Sequence, residues 1–262
     1  MTITIKDQQE IEKMRIAGKL AADVLEMIEP HVKAGVTTDE LNTLCAEYTD
    51  KVQGAISAPL NYHGFPKSIC TSVNHVVCHG IPNGTPLVDK DIINIDITVI
   101  KDGYHGDTSK MFLIGETEAE DNRLCRITQE ALYLGLKKVK PGADFGEIGT
   151  AIQKFIKSKG RYSIVKEYCG HGIGKEFHEE PQIVHYKNKA GEKMVEGMCF
   201  TVEPMINLGK ASTILDKEDN WTVRTSDKKR SAQWEHTVVV TKTGCEILTL
   251  RKDDTIPRML HN

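Results

Sequence analysis

An Asp-Gly pair, Asp102-Gly103, lies between two runs of strand-forming residues, Ile92 to Ile100 and Tyr104 to Ile114, and narrows the fold more than any other feature of the chain. Asp-Gly readily takes the left-handed backbone of a two-residue turn, so the two runs are expected to form an antiparallel hairpin. Opposed residue numbers in that hairpin sum to 205, which sets Thr98 across from Asp107. Asp96 lies two residues further along on the same face, diagonal to Asp107 and within about 7–8 Å of it, backbone to backbone. Aspartate is depleted in strands, yet Asp96 interrupts the apolar run Ile92-Ile93-Asn94-Ile95-Asp96-Ile97-Thr98-Val99-Ile100. Two buried carboxylates this close repel, and at least one would keep its proton unless a cation is shared between them.

The same tension recurs twice. Glu203 stands inside Cys199-Phe200-Thr201-Val202-Glu203-Pro204, and Glu235 inside Gln233-Trp234-Glu235-His236-Thr237-Val238-Val239-Val240. Taken singly, each acid fits a solvent-facing position, because half the residues of an antiparallel strand can face water. Taken with a glycine-flanked histidine, Gly170-His171-Gly172-Ile173-Gly174, the four acids make an oxygen-rich donor set. Such a set suits two divalent ions about 3.5–4 Å apart, whose charge four carboxylates roughly neutralise. A structural zinc site would instead cluster cysteines and histidines at short spacing, and calcium-binding loops are equally absent.

Around these strands the helical signals are clear. Residues 7–29 carry Ile11, Met14, Leu20, Val24, Leu25 and Ile28 at helical spacing, with Asp7 and Glu10 placed as a capping box and Pro30 as a stop. Further helices are expected over Thr38–Lys51, Ala119–Val139 and Asp144–Lys159, and further strands over Met198–Met205, His236–Thr241 and Cys245–Leu250. Helices and hairpins alternate in blocks, so the class is α+β. An offset of 107 residues superposes Val32-Lys33-Ala34-Gly35 on Val139-Lys140-Pro141-Gly142, and Ile95-Asp96 on Val202-Glu203. The expectation is a single catalytic domain over residues 1–262 built from two duplicated α/β halves, roughly 10–115 and 118–250, around a central antiparallel sheet. A pseudo-twofold arrangement would bring Asp96 and Glu203 to the centre.

Composition removes several classes of function. A net charge of -3 without a basic run gives no attraction to phosphate, which argues against nucleic acid or an anionic membrane as partner. The N-terminal MTITIKDQQE is charged within six residues, and no stretch approaches the roughly 20 apolar residues of a spanning helix, so neither a leader nor a membrane span is expected. Seven scattered cysteines without a CxxC pair read as reduced thiols, which points to the cytoplasm; all but Cys70 are expected to be small buried apolar residues.

The segments IDITVIKDGYHGDTSKMF with Asp96 and Asp107, YCGHGIGKEFHEEP with His171, FTVEPM with Glu203 and WEHTVVV with Glu235 closely resemble the type I methionine aminopeptidases. The resemblance runs from the first helix to the closing LTLRKDDTIP, and the type I form follows from the short N-terminus and the absence of a long helical insertion in the C-terminal half. It implies the pseudo-twofold pita-bread fold and a pair of divalent ions (cobalt, manganese, iron or zinc) held by Asp96, Asp107, His171, Glu203 and Glu235. The implied reaction is removal of the initiator methionine from newly made proteins by dimetal-assisted hydrolysis, with a small second residue preferred. Glu203 would also shuttle the proton, His79 in VCHGIP would contact the scissile amide, and His178 the substrate carbonyl beyond it.

The resemblance further implies a methionine pocket from Tyr62, His63, Phe65, Cys70, Phe177 and Trp221. Pro59 and Phe65 stand where relatives lead one to expect a cysteine and a tyrosine, which alters the fine shape of that pocket. Backbone carbonyls of Asn74, Val76 and Ser231 match a site for a sodium or potassium ion. The implied partner is the N-terminus of a nascent polypeptide, met at the ribosome by a monomer. His31, His75, His105, His185, His236 and His261 are expected to be exposed or locally satisfied. The competing readings are a proline-specific peptidase of the same fold, which usually carries an extra N-terminal domain, a metal-free amidinohydrolase, which has no use for five intact ligands, and a non-catalytic binding protein, which would be expected to have lost ligands or His79.

Overall fold

The Asp-Gly hairpin forms as the sequence predicts: in the computed structural model, which describes residues 3–261, the strand Ile92–Lys101 pairs with Tyr104–Leu113 over ten residue pairs, Thr98 opposite Asp107. Asp102 and Gly103 take φ of 50° and 78°, the double left-handed turn that matches the twist of the flanking strands. The free edge of Ile92–Lys101 is covered by two short strands, Ile56–Ser57 and Cys70–Val73, and the latter sets Cys70 opposite Asp96.

Helix α1 (Gln8–Ile28) lies across this hairpin. Its start is fixed by Asp7, whose side chain accepts from the Gln9 and Glu10 amides while the Glu10 carboxylate returns to the Asp7 amide. The contact is close because it is made through glycine: a Cβ on Gly106 would fall 2.4 Å from the Ala17 carbonyl carbon and the Gly18 nitrogen. Helix α2 (Thr38–Glu47) begins with a second capping box, Thr37 with Glu40. It was expected to reach Lys51, but its last turn widens into a π-helical turn, Tyr48–Val52, before Gly54 (φ 54°) turns the chain into the Ile56–Ser57 strand. Together α1, α2 and the hairpin enclose one apolar core that includes Leu25, Ile28, Leu41, Ile93 and Ile95.

A second, six-stranded antiparallel sheet runs in the order Met259–His261, Gly244–Ile247, His236–Val240, Cys199–Val202, Gly170–Gly172, Glu179–Ile183. Helices α3 (Ala119–Leu136) and α4 (Gly146–Lys159) share its apolar core, in which Phe200 packs edge-to-face on Phe145 at 5.3 Å. Shifted by 107 residues, α2 falls on α4 and α1 on α3. The expected strand Met198–Met205 breaks into Cys199–Val202 and Met205–Asn207, which belong to different sheets. The break falls at Glu203-Pro204, because proline has no N–H to continue a ladder. Its neighbour breaks in step: Ser231–Gln233 pairs with Met205–Asn207, whereas His236–Val240 pairs with Cys199–Val202, leaving Trp234-Glu235 as the matching joint. The expected strand Cys245–Leu250 runs instead from Gly244 to Ile247. Among the described residues no helix is long and apolar enough to cross a membrane.

Candidate metal centre and active site

Both strand joints open onto the face of the hairpin that carries Asp96 and Asp107. Ligand atoms of Asp107, His171 and Glu235 all lie within 4.8 Å of one another. The His171 Nε2 stands 3.5 Å from Asp107 Oδ2 and 3.7 Å from Glu203 Oε1. Asp96 belongs to the same group, since it lines the same cavity, feels the Asp107 and Glu203 charges, and keeps its Oδ1 buried without a protein partner. The five come from three local devices: Asp96 and Asp107 from the hairpin, His171 from a strand kept thin by glycine, and Glu203 and Glu235 from interrupted strands. A Cβ on Gly170 would meet the Thr201 carbonyl at 2.4 Å and one on Gly172 the Glu180 carbonyl at 2.1 Å, so glycine on both sides of His171 lets that strand press between its neighbours.

The electrostatics of the group are those of buried carboxyls that repel one another. Burial, then the Asp107 and Glu203 charges, push the Asp96 carboxyl well above its ordinary range. Burial and the same neighbours raise Glu235, and burial raises Glu203 to about 7 even though His171 and two hydrogen bonds pull it down. His171 is lowered by burial but raised on balance by Asp107 and Glu203. Orphaned carboxylate oxygen, repelling carboxyls and a hard donor set are together what a divalent cation would satisfy.

Neutral groups orient these ligands. Thr98 Oγ1 donates to Asp107 Oδ1 at 2.8 Å. Thr201 Oγ1 donates to Glu203 Oε1 at 2.7 Å and accepts from the His171 amide at 3.0 Å. Gln233 Nε2 donates to Glu203 Oε2 at 3.1 Å, and the Glu203 amide, freed by the strand break, donates to His185 Nε2 at 3.0 Å. The buried Arg251 donates to Thr108 Oγ1 at 2.6 Å, and Thr108 Oγ1 in turn donates to the Glu235 carbonyl at 2.7 Å. Of these groups only Thr98 is placed by the sequence, opposite Asp107; the others are not singled out there. The Pro204 that ends a strand beside an acid was the one available signal, since it marks where backbone donors and acceptors must find partners outside the ladder.

The cluster floors a cavity of about 400 Å³. Tyr62, Phe65, Cys70, His79, Phe177, His178 and Trp221 all line it, as do Pro59 and Met205. Phe65, almost wholly buried, packs edge-to-face on Trp221 at 5.2 Å, and His79 stands edge-on to Trp221 and Tyr168. His63 does not join them: it is exposed, takes φ of 46° and rests edge-on against the outer side of Tyr62 at 4.4 Å, because the left-handed turn at Asn61–Gly64 directs it away. His79 also has a left-handed backbone (φ 55°), a conformation uncommon for a residue with a Cβ, and burial lowers its imidazole to about 4. The Tyr62 hydroxyl meets His178 Nδ1 at 2.8 Å. Enclosure among packed rings, then His171, holds His178 well below the ordinary imidazole value. His105 was expected to be exposed or only locally satisfied, yet it is buried and stacks on Phe177 at 5.6 Å while its Nδ1 bonds to the Gly174 carbonyl.

The remaining predicted positions lie apart from this group. The Asn74 carbonyl accepts from the Ser231 amide at 2.9 Å, and Ser231 Oγ and Asn207 Oδ1 are buried beside that pairing without protein partners. Six of the seven cysteines are buried and Cys169 is half-buried, all as free thiols.

This geometry agrees with known proteins. Residues 12–242 match metallopeptidase family M24. The chain is 60% identical over 262 residues to the methionine aminopeptidase of Escherichia coli K12, covering 99% of this chain and 98% of that protein. The crystal structure of methionine aminopeptidase from Rickettsia prowazekii superposes with a TM-score of 0.93 at 54% identity, covering 95% of this chain and 100% of that one. An X-Pro aminopeptidase from Thermotoga maritima shares the fold at a TM-score of 0.74 and 26% identity, but the match takes in only 63% of that longer chain. The chain belongs to metallopeptidase family M24 and, within it, to the methionine aminopeptidases.

Proposed function

We infer that this chain is a metal-dependent methionyl aminopeptidase that hydrolyses the first peptide bond of polypeptides beginning with methionine. The observation that carries the reading is the convergence of four carboxyls and one imidazole on the floor of a cavity whose walls include Tyr62, Phe65, Tyr168, Phe177 and Trp221. Asp96, Asp107, His171, Glu203 and Glu235 would hold two divalent ions, which when bound supply Lewis acidity toward the scissile carbonyl and make water in the cavity more acidic. The donor set accepts cobalt, manganese, iron or zinc.

The chain's own groups account for the rest. Glu203 stands on the cavity floor with both oxygens fixed, Oε1 by Thr201 and Oε2 by Gln233, which places it to pass a proton between water and the leaving amine. His79 is neutral at that pH and offers its ring to the scissile amide. The His178 tautomer with its proton on Nε2 accepts the Tyr62 hydroxyl at Nδ1 and would donate to the substrate carbonyl beyond the cleaved bond. Phe65, Cys70, Phe177 and Trp221 give an unbranched thioether apolar, polarisable surroundings.

From the resemblance we further propose a small second residue in the substrate, nascent chains as the substrate pool, met at the ribosome in the cytoplasm by a monomer, and a sodium or potassium ion on the carbonyls of Asn74, Val76 and Ser231. The buried, unpartnered Ser231 Oγ and Asn207 Oδ1 support a polar ligand near that position. Intact ligands and an intact His79 speak against a non-catalytic relative. The test is to strip the protein of metal and restore each divalent ion in turn with Met-Ala-Ser, Leu-Ala-Ser and Ala-Pro as substrates. Metal-dependent release of methionine alone is expected. Cleavage of Ala-Pro, or none with metal bound, would refute the assignment.

A further inference from the structure

The turn that carries Phe177 and His178 connects the strand Gly170–Gly172 to Glu179–Ile183, and its inner side is held by rings. Phe177 stacks on His105 at 5.6 Å and on His178 at 4.3 Å, and the Gly174 carbonyl accepts from both the amide and Nδ1 of His105. Stacked rings slide over one another at little cost, and the Tyr62 hydroxyl 2.8 Å from His178 Nδ1 steers the ring itself, so these contacts direct the side chain without fixing the backbone of the turn. The base of the turn is held differently. Glu179 sends Oε1 back to the Glu176 amide at 3.3 Å, and its Oε2 meets the Lys6 ammonium at 2.6 Å. The Lys6 and Glu179 side chains are 2% and 11% exposed.

Lys6 reaches this place from far away in the chain. Its amide donates to the Gly197 carbonyl at 2.9 Å, and Ile5 bridges to Met198, so the backbone is pinned to the second sheet. The side chain then passes beneath Gly174, where a Cβ would lie 2.6 Å from Lys6 Cε and 2.7 Å from Glu179 Oε1. Gly174, the last glycine of Gly-His-Gly-Ile-Gly, thus leaves room for the lysine stem. A second link from the same end of the chain, Lys175 to Glu10 at 3.1 Å, is solvent-exposed and weak. A buried ion pair adds little net stability compared with an apolar pair of the same size, while loss of one partner leaves a charge stranded. Net stability therefore does not explain an ammonium threaded under a catalytic turn; fixed geometry does.

We propose that Lys6 is a positioning residue for the reaction: its buried ammonium, clamped on Glu179, fixes the 174–179 turn so that His178 stands where the second carbonyl of the substrate passes. The inference rests on the role read above for His178. Lys6 does not line the cavity, whereas its partner Glu179 does, so Lys6 acts through Glu179 and the turn.

The test uses the metal-loaded full chain and two substrates, Met-Ala-Ser and methionine p-nitroanilide, the latter having no carbonyl beyond the bond that is cleaved. Lys6→Met is expected to lower kcat/KM on the tripeptide by about tenfold to a hundredfold, as small misplacements of binding groups do, and at least tenfold less on the anilide. Amide hydrogen exchange at Lys175–His178 is expected to quicken, while the Ile92–Lys101 strand is unchanged. The double variant Lys6→Met with Glu179→Gln, which strands no charge, is expected to regain part of the loss. Should Lys6→Met fail to fold, Glu179→Gln alone weakens the same clamp and must show the same selectivity.

Unchanged exchange in the turn overturns the proposal whatever the kinetics. So does an equal loss on both substrates when His178→Ala, measured alongside, remains selective for the tripeptide. If His178→Ala itself affects both substrates equally, the role assigned to His178 fails, and the exchange data alone then decide whether Lys6 fixes the turn.

Discussion

Thr98 and Asp107 face each other across the hairpin, and the threonine hydroxyl donates to the aspartate Oδ1 at 2.8 Å. That bond holds the carboxylate with Oδ2 turned toward His171, 3.5 Å away. Groups that orient metal ligands in this way typically contribute ten- to a hundredfold in metal affinity. Thr98→Val, which keeps the shape and removes the donor, is expected to weaken binding of the first divalent ion by about tenfold or more, read by titration calorimetry of the metal-free protein. An unchanged affinity would show that Asp107 is held by other means.

The meeting of α1 and the hairpin at Gly106 leaves no space for a methyl group, since the nearest backbone atoms would stand at 2.4 Å. Gly106→Ala must therefore push the helix off the hairpin. A loss of stability of roughly 1–3 kcal/mol or more is expected in urea unfolding, the range of overpacked cores. Gly35→Ala, with nothing near its Cβ but φ of 89°, gives a backbone-strain control without a clash.

Asp254 provides a pH test of the network behind the cavity floor, since it pairs with Arg251, which supports Glu235 through Thr108, and with His236 beside Glu235. Burial raises its carboxyl, but His236, Arg251 and the Arg251 amide together hold it well below the ordinary 3.8. A carboxyl lowered on folding contributes stability above about pH 4, and that contribution is lost as the pH falls through the lowered value. Asp254→Asn leaves the buried Arg251 without its partner at Oδ1, 3.3 Å away, and is expected to cost about 3–5 kcal/mol at pH 7. The difference from the parent chain should narrow as the pH drops below 4. A gap of the same size at pH 7 and pH 3 would contradict this account.

Phe65 replaces the tyrosine expected from relatives and fills the wall beside Trp221, 5.2 Å between ring centres. Phe65→Ala should raise KM for methionyl peptides and lower kcat/KM by about ten- to two-hundredfold, the scale of an apolar pocket contact. Discrimination against leucyl peptides should fall with it. Steady-state kinetics on Met-Ala-Ser and Leu-Ala-Ser measure both.

Much of this was legible in the residues because local rules act at short range. Asp102-Gly103 set the register of the hairpin, and with it the relation of Asp96 to Asp107; the Asp7–Glu10 box set the start of the first helix. What was not legible depends on contacts between distant segments. His185 meets the Glu203 amide only because Pro204 breaks one strand, and Glu235 falls at the matching break only because two sheets diverge there. Lys6 and Glu179 are 173 residues apart, and nothing local marks either as a partner of the other. His63, placed at the pocket by resemblance alone, is exposed on a loop where both Asn61 and His63 take positive φ, a backbone choice with no local signal in the residues.

The central claim is that Asp96, Asp107, His171, Glu203 and Glu235 hold two divalent ions, and counting those ions tests it most directly. Anaerobic titration of the metal-free chain with manganese, followed by elemental analysis after gel filtration, should give two ions per chain, and Asp107→Asn with Glu235→Gln should reduce the count to at most one. Binding of two ions undiminished in that double variant would place the metals elsewhere and contradict the account.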